Sequence, residues 1–327
     1  MKIRLAAAFL VLACTHAWSQ DSCKHRGDLD TLYCDEDHDL TADPPKDPAK
    51  FRNPASLLLS YSPQEDTAAY EKLWAPYVEH MARCVGRKIR FFQVFSSAAA
   101  IEALRSGRIQ FSLLATGDTP FAVNVAGAVP FAGIGSREGL LSYHVVVLVK
   151  QDSPFVKLAD LKGKRVAHTA ASSNAGNMAP RALFPAEGLT PDKDYKVIYS
   201  GKHDNSITGV LRGDYDAAAV ADDVLDRMLA RGLVKPGDYR IIYTSKAFPA
   251  GSMVLAHDLD PSLAAKLRSC TLSYAFSPEL TAAFQGADRH VPMNYKRDFE
   301  AVRGVAIQSG EAINRAGFDR KKQEAGK

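Results

Sequence analysis

The chain has 327 residues, a formal charge of +4, 46% hydrophobic residues and 24% charged residues. That composition excludes wholesale disorder, a collagen-like fibre and a multi-span membrane protein. The weak positive charge, with no basic aromatic stripe, argues against nucleic acid as a partner, and the length holds one large domain or two lobes that each bury a core.

Lys2 and Arg4 precede an apolar run over 5–13 that is too short to cross a bilayer. These are the charged and apolar regions of a secretory signal peptide. Small residues Ala17 and Ser19 mark a cut that makes 1–19 the signal and Gln20 the mature N-terminus. Loss of Lys2 and Arg4 brings the charge to about +2. Lipoprotein processing at Cys14 is the alternative, although Leu12 is bulky for that signal.

The exported chain keeps Cys23, Cys34, Cys84 and Cys270, an even set that implies disulfides. Cys23–Cys34 closes a short loop, and Cys84–Cys270 then follows by elimination. A free thiolate for a soft metal or arsenite ranks below this pairing, because no close Cys-Cys spacing occurs.

Residues 20–55 form an acidic arm in which Pro44, Pro45, Pro48 and Pro54 stop regular structure, and an extended surface course is expected. Within it, Asp35, Asp37, Asp39 and Asp43 have the alternating spacing that wraps oxygens around calcium. Leu40 stands where such a loop needs its turn Gly, and the distal bidentate Glu is missing, so a solvated acidic turn is the competing interpretation. The spacing of Cys23, His25, Cys34 and His38 does not suit a zinc module.

From 57 onward, strands and helices alternate. A strand over 57–61 leads to a helix capped by Asp66 and running to about Cys84, with Ala69, Leu73, Tyr77 and Met81 on one face. Strands follow at 88–95, 109–114 and 141–149, with helices at 98–105 and 118–126. The pattern repeats with strands at 165–168, 195–200, 217–220 and 240–243. Its helices lie around 178–184, 204–211 and 222–229. The chain returns through a strand at 253–256 and helices at 260–269 and 298–309. This grammar predicts an α/β fold of two lobes, each a mainly parallel sheet flanked by helices. Lobe 1 takes 56–148 plus 250–327 and lobe 2 takes 149–249, with crossings near 148–151 and 244–251. The ligand cleft lies between the lobes, beyond the strand C-termini.

Four strand-to-helix turns, at 96–97, 116–119, 172–176 and 203–206, are rich in Ser, Thr, Asn and Gly. Each presents free backbone N–H groups and the positive end of a helix, which together suit an oxyanion. A single turn of this kind would be an ordinary cap.

Several segments resemble one family. Ile101-Glu102-Ala103-Leu104-Arg105-Ser106-Gly107 resembles its "IEA-[ML]-R-x-G" stretch. Asp160-Leu161-Lys162-Gly163-Lys164-Arg165-Val166-Ala167 resembles the opening of its second lobe. Ser173-Asn174-Ala175-Gly176, followed by Pro180, resembles its "S-T-S-G-x-x-x-P" turn, and Ser200-Gly201-Lys202-His203-Asp204-Asn205-Ser206 its "G-x-H-[DE]-x-[SA]" turn. Asp216–Val220 and Tyr295–Arg303 match as well. In combination, over roughly 55–305, these motifs resemble the periplasmic phosphate/phosphite/phosphonate-binding proteins of ABC transporters.

The resemblance implies a monomeric two-lobed receptor, without cofactor, that closes on a phosphorus-type oxyanion and hands it to an ABC permease. Carried over by position, Ser173, Asn174, His203 and Asp204 of the second lobe hold the anion with Ser97 and Thr116 of the first. Asp222 receives an amine, or else is only a helix cap. Tyr61, Ser62 and Glu65 are further candidates for the first lobe's wall. Ser97 stands where phosphonate binders usually have Tyr, Asn174 replaces Thr, and Leu114-Ala115 replaces an aromatic segment. Few cleft aromatics are therefore expected, which leaves phosphate, phosphite and arsenite-type anions open.

Two other functions use the same residues. A sensory binding protein that signals to a membrane histidine kinase would share the fold. An exported hydrolase would need a triad such as Ser173, His203 and Asp222, but the sequence has no Walker A motif, G-x-S-x-G elbow or H-E-x-x-H.

Overall fold

The alternating strands and helices sort into two sheets in the computed structural model, which describes residues 23–62 and 67–325. The signal segment, Cys14, the Asp66 cap and Glu65 lie outside the described residues. The first sheet contains β1 (Ser56–Tyr61), β2 (Lys88–Phe91), β3 (Phe111–Leu114), β4 (Ala128–Ser136) and β5 (Gly139–Leu140). The second contains β6 (Ser142–Lys150), β7 (Arg165–His168), β8 (Lys196–Tyr199), β9 (Ala217–Ala221) and β10 (Tyr239–Pro249). The chain then returns to the first sheet with β11 (Ser252–Ala256) and β12 (Arg289–Pro292). Strand order is β12-β4-β11-β3-β1-β2 in the first sheet, with β5 on β4, and β10-β6-β9-β7-β8 in the second.

Each sheet is mixed, whereas the sequence pattern predicts mainly parallel sheets. β1 pairs parallel with β2 and β3, and β7 with β8 and β9. The strands nearest the crossings run the other way: β11 is antiparallel to β3 and β4, and β6 is antiparallel to β9 and β10. A strand that carries the chain between sheets enters from the opposite end, so it reverses direction. The pairing also moves the first crossing. The Val145–Val149 run lies wholly in the second sheet, and the chain changes sheet at Leu141 rather than near 148–151. Ala250 N–H donates to the Leu141 carbonyl at 2.9 Å, so the two crossings lie side by side.

β9 shows why the second sheet's interior closes. Ala217, Ala218, Ala219 and Val220 are all fully buried, as expected of a strand covered on both faces. The helix Thr67–Val85 buries Tyr70, Trp74, Tyr77, Met81 and Val85, whereas Ala69 is exposed and Leu73 half-buried. The strict four-residue spacing expected from sequence drifts about 40° per step around a helix of 3.6 residues per turn, which is why the inward face begins one residue later. β4 carries Gly133 and Gly135 and has no alternating pattern. A Cβ on Gly135 would lie 2.2 Å from the Gly139 carbonyl oxygen, so the close return of β5 requires the residue that makes β4 hard to recognise.

The disulfides join Cys23 to Cys34 and Cys84 to Cys270, with Cα atoms 5.5 and 5.8 Å apart. The arm is more than a surface segment. Leu29, Tyr33 and Asp35 are buried, Asp30 N–H donates to the Asn124 carbonyl at 2.7 Å, and Arg52 makes a bidentate pair with Asp258. The carboxylates of Asp35, Asp37 and Asp39 gather within 4.8 Å of one another. Asp43 is not part of that group; it accepts the Glu36 N–H at 2.7 Å.

Candidate ligand-binding cleft

The four turns singled out by composition meet at one cleft between the sheets. From the first sheet come Ser97, at the start of the helix Ser97–Arg105, and Thr116, Gly117 and Asp118, at the start of the helix Asp118–Ala126. From the second come Ser172, Ser173 and Asn174 after β7, and Gly201, Lys202 and His203 at the start of the helix His203–Arg212. Helix N-termini leave backbone N–H groups without intrahelical partners, and their dipoles favour negative charge. The interior is about 70 Å³. One water needs about 10–15 Å³ by the same measure, so the space suits a small polyatomic ion.

The two sides already touch. A Cβ on Gly117 would lie 2.0 Å from the Ser172 carbonyl oxygen and 2.6 Å from the Asn174 nitrogen. Ser172 Oγ donates to Asp118 Oδ1 at 2.6 Å, and Gln285 donates to Asp226 at 2.5 Å farther along. This is a closed arrangement.

His203 is buried, and its Nδ1 accepts the Ala221 backbone N–H at 3.3 Å. Burial pushes its pKa down to about 4, so the ring is neutral near pH 7. With Nδ1 acting as acceptor, the proton sits on Nε2, and the cleft receives a donor without a full charge. Ser173 Oγ accepts the Gly176 N–H at 3.0 Å and keeps its own proton to donate. Asn174 Nδ2 donates to the Tyr143 hydroxyl at 2.8 Å. Asn174 Oδ1, Thr169 Oγ1 and Asp223 Oδ1 are buried without a hydrogen-bond partner among the described residues. All three residues line the cleft. Orphaned buried polar atoms are costly, and several in one cavity indicate a missing polar partner.

Several sequence-based assignments change. Ser97, Thr116, Ser173, Asn174 and His203 line the cleft together, but Asp204 and Asp222 do not. The Thr116 hydroxyl donates to the Pro249 carbonyl at 2.9 Å and accepts the Gly251 N–H at 3.2 Å, so it is committed to the crossing. Asp204 lies in the first turn of its helix, with Lys202 at the N-cap, and its Oδ1 accepts the Asn205 N–H. Asp222 accepts from the His144 backbone N–H at 2.8 Å and contacts its Nδ1 at 2.9 Å. Asp222 and the accepting Nδ1 of His203 therefore form no triad with Ser173. Tyr61 packs behind the wall on Tyr70, and Ser62 is buried beside it without lining the cleft.

Asp223 takes the place expected of Asp222, because the helix begins at Asp222 and turns only its second carboxylate inward. Asp223 Oδ2 accepts from Arg227 at 2.9 Å. Aromatic walls are also present. Tyr70, Tyr143 and Phe284 line the cleft, and none of them falls in a segment that the family motifs cover. Tyr70 was within reach of a correct helical phase, whereas Phe284 follows a short helix, Pro278–Ala283, that periodicity does not reveal.

Residues 59–296 match the family model described as "ABC transporter, phosphonate, periplasmic substrate-binding protein". The chain is 26% identical over 232 residues to the phosphate-import protein PhnD of Mycolicibacterium smegmatis, covering 66% of this chain and 71% of that one. It is 23% identical over 216 residues to the phosphonates-binding periplasmic protein of Escherichia coli, covering 65% of this chain and 64% of that one. In fold, it is similar to PhnD1 of Prochlorococcus marinus in complex with methylphosphonate. The TM-score is 0.70 at 16% identity, with 79% of this chain and 99% of that one covered.

Proposed function

Because this chain belongs to the family of periplasmic phosphonate-type substrate-binding proteins of ABC transporters, we propose that its cleft captures a small phosphorus-type oxyanion for delivery to a membrane permease. Phosphate, phosphite and phosphonates are the candidate ligands. The observation that carries this reading is the convergence of helix and turn N-termini from both sheets on about 70 Å³ of space, beside the neutral His203. Members of this family are substrate-binding proteins rather than enzymes, and we extend that role to this chain. Export to the periplasm through 1–19 belongs to the same proposal. So do lobes of 56–141 plus 250 onward and of 142–249, which close about the paired crossings.

Asp223 refines the ligand. Its Oδ1 only accepts hydrogen bonds when ionised, so it favours a ligand that carries a proton. Phosphate, phosphite and phosphonates hold a P–OH near neutral pH, while sulfate has no proton to offer and meets a buried carboxylate. Relatives named for import and binding favour uptake over signalling.

Titration calorimetry of the mature protein against phosphate, phosphite, methylphosphonate and sulfate tests the reading. Saturable binding of at least one phosphorus anion is expected, with sulfate at least a hundredfold weaker. Ser173→Ala and His203→Ala should each weaken binding while the protein stays folded. Equal binding of sulfate, or unchanged affinity in both variants, would overturn the assignment.

A further inference from the structure

We propose that Asn177 is a positioning residue: from behind the 169–173 turn it holds the Ala171 carbonyl away from the cleft and so aims the Ser172 N–H at the bound anion. This rests on the oxyanion reading above and adds a residue that does not itself line the cleft. The turn joins β7 to the helical segment Asn174–Met178, and Thr169, Ala170, Ser172 and Ser173 line the cleft. Asn177 is fully buried behind them. Its Nδ2 donates to the Ala171 carbonyl at 2.8 Å. The peptide between Ala171 and Ser172 is trans, and a planar trans peptide points its N–H opposite to its C=O. With the carbonyl drawn back to Asn177, the Ser172 N–H faces the cleft. It has no hydrogen-bond partner among the described residues, and an anion in the cleft supplies one.

The direction of the Asn177 amide is set by groups that act in only one sense. Arg181 Nε only donates, and it meets Asn177 Oδ1 at 3.0 Å. A backbone carbonyl only accepts, so Nδ2 must face Ala171. Reversing the amide would set oxygen against oxygen at Ala171 and nitrogen against nitrogen at Arg181. The Tyr199 hydroxyl donates to the same Oδ1 at 3.2 Å, and His168 Nδ1 lies 2.9 Å from it. His168 is held in turn at Nε2 by the Tyr195 hydroxyl, 2.8 Å away. His168 and Tyr199 are register partners at the ends of β7 and β8. The amide is therefore braced by the sheet and not by the turn whose peptide it orients.

The test replaces Asn177 with Asp. Asn177→Asp keeps the size of the side chain and an oxygen for Arg181, His168 and Tyr199, but an ionised carboxylate beside Arg181 has no proton to give Ala171. Calorimetric titration of the mature protein with phosphate, phosphite and methylphosphonate is run beside spectra of 15N-serine-labelled protein, in which the Ser172 amide is identified by its loss in Ser172→Ala. In the parent chain the Ser172 amide proton is expected to move downfield as the anion binds. In Asn177→Asp that shift should be lost, and affinity for the anion that the parent binds should fall about tenfold or more, the effect of one hydrogen bond to a charged group. Arg181→Met is the second variant should the first fail to fold. It removes a donor that orients the amide, and it should weaken binding about threefold and shrink the Ser172 shift. A Ser172 amide that does not respond in the parent, or parent-like affinity or a parent-like shift in the folded variant, would overturn the positioning role and leave the oxyanion reading standing. Failure of the parent chain to bind any of the three anions would overturn both.

Discussion

Ser172 and Asp118 meet across the cleft, the serine hydroxyl donating to a carboxylate buried in the first turn of a helix on the opposite sheet, at 2.6 Å. If the lobes close on the ligand as proposed, this contact belongs to the closed form. Charge-assisted hydrogen bonds contribute about 1.5–3 kcal/mol, so Ser172→Ala should weaken ligand binding about tenfold. The melting temperature of the ligand-free protein should barely move. Calorimetry beside a thermal melt separates the two effects, and equal losses in both would show that the bond supports the fold rather than closure.

Gly117 makes a stronger test of closure. A methyl group there would lie 2.0 Å from the Ser172 carbonyl oxygen, and backbone atoms cannot rotate away. Gly117→Ala should hold the lobes apart and weaken binding more than a hundredfold. Small-angle scattering should show the same radius of gyration with and without ligand, where the parent chain contracts.

Acid stability follows from three buried histidines. Burial pushes His168 and His203 down to about 4 and His290 to about 3, against about 6.5 for a free imidazole. Below pH 6.5 the unfolded chain takes up protons that the folded chain refuses. Their contribution is therefore complete above about pH 7, falls as pH drops toward 4, and for His290 keeps falling toward 3. Each histidine should cost about 2 kcal/mol between pH 6.5 and 5. Urea unfolding across that range measures the slope. His290→Phe, within the rings of Trp74, Tyr77 and Phe276, should make the slope shallower without loss at pH 7.

The two disulfides should differ in worth. Cys84–Cys270 spans 186 residues and Cys23–Cys34 only 11. Loop-closure entropy gives about 5 kcal/mol for the long loop and about 3 kcal/mol for the short one. Paired Cys→Ser replacements at each bridge, compared by chemical denaturation under oxidising conditions, check the ranking. Equal losses would show that packing, not chain entropy, dominates.

How far the sequence reveals this molecule depends on the kind of residue. Turn chemistry is local, so the Ser, Thr, Asn and Gly clusters at 96–97, 116–119, 172–176 and 203–206 mark the cleft by composition alone. Orientation within a turn is less legible. Asp222 and Asp223 are adjacent carboxylates, and only the phase of their helix decides that the first goes to His144 and the second to the cleft. Thr116 is hidden in a different way, because its partners at Pro249 and Gly251 lie more than a hundred residues away. Sheet membership is long-range too. The apolar run of β6 reads the same in either sheet, and only its pairing with β9 and β10 places it.

The hydrogen bond from Ala250 to Leu141 brings together the two ends of the stretch that forms the second sheet. That stretch is continuous along the chain, whereas the first sheet needs β1–β5 to find β11 and β12 across it. Closing the long loop carries an entropic cost that the inner stretch largely avoids. The consequence is an order of assembly: the interior segment gathers first and, by pinning its own ends, brings the distant halves of the other sheet within reach. Pulse-labelled hydrogen exchange during refolding should find β7 and β9 protected before β3 and β11.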